Sequence, residues 1–117
     1  MKNQELRDRT KSFALRVIKM YCALPKSTEA QVLGKQALRS GTSVAANYRE
    51  ASRARSDAEL IAKLGIVEQE LDETLLWFEL LVESKIMSSA KMVKIQQEAD
   101  ELLRIIVTAI KRLKGKQ

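Results

Sequence analysis

The sequence has no histidine, one cysteine, one proline, four glycines and only five aromatic residues among its 117. Each scarcity removes a class of chemistry. Without imidazole there can be no Ser-His-Asp triad, no His-ligated zinc and no histidine acid/base catalysis. The lone Cys22 forms no internal disulfide and no cysteine-rich metal site, which points to a reducing, cytoplasmic setting. So few aromatics leave little for stacked nucleobases. Long apolar runs are missing too. The longest uncharged stretch, Ser40 to Tyr48, is short and rich in small polar residues, far from the roughly 20 apolar residues of a spanning helix. At the N-terminus, MKNQELRDRTK breaks every apolar stretch with charge, so neither a signal core nor a membrane partner is expected.

What remains is 45% apolar residues and 31% charged ones, enough for one domain over 1–117 with a core that needs no staples. Helical periodicity organises it. Leu6, Phe13, Val17 and Tyr21, with Ala14 and Ile18 beside them, predict a helix over 4–23, which Pro25 ends. Thr28 with Gln31 fits a capping box opening a second helix over 29–55, carried by Val32, Leu33, Ala37, Val44, Tyr48 and Ala51. Ser56-Asp57-Ala58-Glu59 is a fuller capping box and starts a third helix over 57–84. Its stripe of Leu60, Leu64, Val67, Leu71, Thr74, Phe78 and Leu81 steps by four and three like a bundle seam. After a break at Met87, Ser88 and Ser89, a fourth helix over 89–114 carries Met92, Ile95, Ala99, Leu102, Ile106, Ala109 and Leu113. Short turns make neighbouring helices antiparallel, so the expected fold is all-α, an up-down-up-down antiparallel four-helix bundle.

A turn near Ser56 brings Arg39 opposite Glu73, Gly41 opposite Leu71 and Asn47 opposite Gly65. One near Ile86 pairs Phe78 with Ile95 and Leu71 with Leu102. The second helix is crowded with small residues from Gly34 to Ala46. Either Gly34, Gly41 and Ala45 admit large side chains such as Phe13 and Leu71 within the bundle, or part of that face lies at a subunit boundary. The assembly candidates are Arg39, Ser40, Thr42, Ser43, Asn47, Glu73 and Trp77, with Arg39–Glu73 an ion pair and Trp77 off the seam. Phe78 belongs to the core, Tyr21 and Tyr48 to its edge, and Cys22 reads as a buried small hydrophobe.

The net charge of +6 is unevenly placed. By segment it runs +4 over 1–24, +3 over 25–57, −6 over 58–84 and +5 over 85–117. Bundle topology then gathers Lys2, Arg7, Arg9, Lys11, Arg49, Arg53, Arg55, Lys63, Lys111, Arg112, Lys114 and Lys116 at one end, facing only Glu5, Asp8, Glu50, Asp57 and Glu59. That is the footprint of phosphate binding, although a frayed C-terminal tail would carry the same lysines. The acids Glu68, Glu70, Asp72 and Glu73 read as a solvated face, since a bundle di-metal site needs Glu-x-x-His pairs. No cofactor, metal, catalytic or small-molecule site is expected.

The run Arg39-Ser-Gly-Thr-Ser-Val-Ala-Ala-Asn-Tyr-Arg-Glu-Ala51 resembles the signature of the bacterial 23S ribosomal RNA intervening-sequence proteins. FALRVIKMYCALPKS (13–27) is similar to that family's first-helix ending, and ETLLWFELL (73–81) to its third-helix motif, with Leu76 where Tyr is commoner. The resemblance implies a four-helix bundle, self-association typically into a ring of five, and no catalytic activity. A related group assists the reverse transcriptase of diversity-generating retroelements and engages both enzyme and nucleic acid. Two functions therefore stand side by side: an oligomeric bundle binding RNA or another nucleic acid through its basic end, or a scaffold whose partner is a protein.

Overall fold

The computed structural model describes residues 3–116, which form four helices, α1 (Asn3–Cys22), α2 (Thr28–Ala51), α3 (Asp57–Glu83) and α4 (Ser89–Gly115). They pack as an antiparallel bundle 48 Å long and about 20 Å across. Each helix touches its sequence neighbours, α4 closes the ring against α1, and the diagonal pairs make no close backbone contact. The α1–α4 seam is the sparsest of the four. No helix among the described residues is long and apolar enough to cross a membrane.

Serine starts three helices. Ser27, Ser56 and Ser88 each hold extended backbone, and each side chain accepts a bond from the amide three residues on, satisfying one of the orphan donors of a first helical turn. The cap of α2 is therefore Ser27, not Thr28. Gln31 bridges the turn instead, donating to the Pro25 carbonyl at 2.9 Å while accepting from the Tyr21 hydroxyl at 3.1 Å. The second helix also stops at Ala51 rather than 55. Its last amide bonds shorten to three-residue spacing, Arg53 to Glu50 and Ala54 to Ala51, because the next cap needs an extended chain at Ser56. No glycine or proline marks that end. α3 closes on a Schellman motif, with Lys85 left-handed at φ 66° and the amides of Ile86 and Lys85 bonded to the carbonyls of Leu81 and Val82.

The core follows the expected stripe along α3, from Leu64 to Leu81. Along α1 the buried set is Leu6, Thr10, Phe13, Ala14, Val17 and Met20, so Ile18 turns outward and Met20 replaces it. In α4 the stripe slips in the last turns, where Ile110 is buried and Ala109 and Leu113 lie half-buried at the edge. Phe13 and Phe78 meet edge-on across the diagonal, with centroids 6.3 Å apart. Phe13 thus packs against α3 and not into the glycine groove. Val17 of α1 occupies the space over Gly41, and Leu24 with Tyr21 that over Gly34. Cys22 is exposed, not buried.

Candidate nucleic-acid interface

At the end shared by the start of α1, the end of α2, the start of α3 and the end of α4, the core opens. Leu6, Tyr48, Leu60, Leu64, Ile106 and Leu113 floor a cavity of about 250 Å³ with Asn3 and Arg112 at its mouth. Arg53 and Arg55 line an adjoining hollow with Glu50, Glu59 and Lys63, and Arg49 and Arg53 flank another. Since α2 ends at Ala51, Arg53 and Arg55 sit in the connection rather than on a helix. That leaves them beyond the last turn of α2, with Arg53 also lining a hollow along its side.

The twelve cations gathered by topology are not equivalent. Lys2 lies outside the described residues. Arg9 is engaged: its Nε and Nη2 donate to the two Glu98 carboxylate oxygens at 3.2 and 2.7 Å, with Glu101 at 3.5 Å. Its bond to Glu98 holds the guanidinium pKa above its ordinary value, against partial burial. Arg9 is therefore the clasp of the α1–α4 seam, not a free phosphate ligand. Lys63 donates to Glu50 at 2.8 Å, which raises its pKa as well. The other nine, Arg7, Lys11, Arg49, Arg53, Arg55, Lys111, Arg112, Lys114 and Lys116, have no carboxylate within 4.0 Å among the described residues. All but the half-buried Arg7 are exposed.

Tyr48 anchors this end from inside. Its ring is buried and its hydroxyl reaches Asn3 Oδ1 at 3.4 Å. Burial pushes the phenol pKa above its ordinary value, while the charge of Arg7 works the other way. A raised folded-state pKa gives stability that is complete below the unfolded value of about 10 and is lost as pH climbs through the folded one. Tyr48→Phe should therefore flatten the fall of melting temperature as pH rises above about 10. Equal slopes in variant and parent would refute that role.

The assembly candidates are placed differently. Arg39 donates to Glu73 at 3.1 Å and to Glu70 at 3.4 Å, an exposed clamp across α2 and α3 worth at most about 1 kcal/mol. Ser40 is fully buried, with its hydroxyl 2.8 Å from that of Thr74 and 3.0 Å from the Gln36 carbonyl. It holds α2 to α3 inside one subunit and cannot line a boundary. The hydroxyl of Thr42 and the amide of Asn47 bond back to their own helix, and Ser43 is half-buried. Trp77 packs half-buried against the core with its Nε1 buried and unpartnered. Sequence reasoning missed the Arg9–Glu98 clasp, whose partners lie 89 positions apart.

These features define a class: a small antiparallel bundle with a cationic pole built from both chain ends and the α2–α3 connection. Sequence comparison makes it specific. A family model described as 23S rRNA-intervening sequence protein matches residues 2–108, and the chain belongs to that family. It is also similar to a crystal structure of a protein with unknown function from the S23 ribosomal protein family of Bacteroides thetaiotaomicron VPI-5482. The two are 36% identical, with a TM-score of 0.87 over 95% of this chain and 99% of that one. The curated proteins compared contain no match.

Proposed function

We propose that the chain is a non-catalytic bundle that associates with copies of itself and binds a structured RNA, or another nucleic acid, through its basic pole. The observation that carries this reading is the nine cations without an ionic partner among the described residues. They come from four chain segments, most of them near the pole that the bundle topology gathers, which a polyanion could follow. Placing unpaired like charges together raises the energy of the free protein, and phosphates relieve it while releasing counterions. With no aromatic platform at the pole beyond the buried Tyr48, recognition rests on backbone phosphates and shape. Self-association multiplies the field by repeating the pole.

Affinity for a structured RNA, measured at two salt concentrations, tests the reading. Neutralising Arg53, Arg55, Lys111 and Arg112 together should lower the slope of log affinity against log salt by about three to four. The parent should lose on the order of a thousandfold between about 50 and 200 mM salt. Absence of binding to any RNA or DNA, or binding indifferent to these four residues, would move the reading to a protein scaffold.

A further inference from the structure

A second cationic site lies at the opposite pole. Arg16 and Lys19 of α1 and Lys91 and Lys94 of α4 rim an open cleft of about 370 Å³ on the α1–α4 seam. Its floor is aliphatic, made by Met20, Met87 and Ile95, and no acidic residue lines it. None of the four cations has an ion-pair partner among the described residues. The first turn of α4 also holds no acid, so Lys91 faces the positive end of its own helix dipole uncompensated. A flexible methionine floor suits aliphatic side chains, and the lack of aromatics disfavours bases.

The chain itself carries the complementary surface. On the outer side of α3, Leu76 and Leu80 are 46% and 37% exposed. Asp72, Glu79 and Glu83, all exposed and without ion-pair partners among the described residues, share that face at helical spacings of three and four. Two apolar side chains ringed by three carboxylates match an apolar floor ringed by four cations. Both surfaces also sit at the same level of the bundle, since the end of α1, the end of α3 and the start of α4 share one pole.

We infer that the outer face of α3 in one copy seats in the α1–α4 cleft of the next. This rests on the self-association reading above and specifies its surfaces. Because the two patches differ, the contact is head-to-tail, and it propagates around a ring or along a filament instead of stopping at a two-fold dimer.

Native mass and sedimentation of Lys91→Glu/Lys94→Glu and of Glu79→Lys/Glu83→Lys decide the matter. Each double reversal sets like charges opposite one another and should weaken assembly at least about a hundredfold. An equimolar mixture of the two should associate again in strict alternation, as open or even-numbered assemblies, since each variant then offers the other a matched surface; a misfolded variant could not do so. A parent chain that stays monomeric refutes self-association itself. An assembled parent whose mass neither reversal changes, or a mixture that fails to assemble, overturns this contact while leaving self-association intact; the cleft would then be open to an acidic segment of a different protein.

Discussion

Phe78→Ala lowers the unfolding free energy by about 3–5 kcal/mol, the usual cost of removing a large aromatic side chain from a closed core. Phe78 is completely buried, and its ring meets that of Phe13 at an interplanar angle of 65°. The two rings meet across the diagonal of the bundle inside one closed core cluster, so truncation leaves a buried cavity. Against a typical total of about 5–15 kcal/mol, that loss should be obvious in denaturant melts run at one fixed protein concentration. The companion Phe13→Ala and the double variant complete a cycle whose coupling energy should be about 0.5–1.5 kcal/mol. A cost below about 1 kcal/mol for Phe78→Ala would mean that the core repacks freely, which this geometry forbids.

Glycine substitutions should divide by sign. At Gly41 a new Cβ would stand 2.8 and 2.9 Å from the two methyl groups of Val17. Val17 is β-branched and helical, so it has one strongly preferred rotamer and cannot turn aside. α1 must move off α2 instead. Alanine here gains about 1 kcal/mol of helix propensity but overpacks the contact by about 1–3 kcal/mol. Gly41→Leu, much larger, should cost about 3 kcal/mol. Gly65 also lies within a helix, yet a Cβ there meets nothing within 4 Å, and Gly65→Ala should stabilise by about 0.5–1 kcal/mol. Loss at both positions, or gain at both, would show that close helix approach does not account for Gly41.

Legibility followed the physics of each element. The α3 seam is evident because a strict four-three alternation is visible without knowledge of the partners, and the Arg39–Glu73 pair because a short turn ties α2 to α3 and sets their register. Small residues are less informative. Gly34 and Gly41 announce that something comes close, but a missing side chain does not say what, and the occupants proved to be Val17, Leu24 and Tyr21 of the preceding hairpin arm rather than Phe13 or Leu71. The end of α2 was illegible because Ala54 and Arg55 are good helix formers, and the demand that stops them comes from Ser56 downstream. At the basic pole, composition and topology show which charges gather but not which are already spoken for. The Arg9–Glu98 clasp joins helices that no turn connects, so nothing local sets their register. Left-handed Lys85 has no sequence signature either, because glycine is the usual occupant of that position.

The sparse α1–α4 seam also shapes how the chain folds and opens. Among the described residues it is the one close backbone contact between helices that are not sequence neighbours. Every other interface is a hairpin that can form as soon as its turn closes, and a topology so local belongs with fast-folding domains. The seam should form last, because the loop it closes is nearly the whole chain and its contacts are the sparsest. In the native state the order reverses. Hydrogen exchange should show helices α1 and α4 parting first, around the Arg9–Glu98 clasp, with amides along their outer turns exchanging before those of the α2–α3 hairpin.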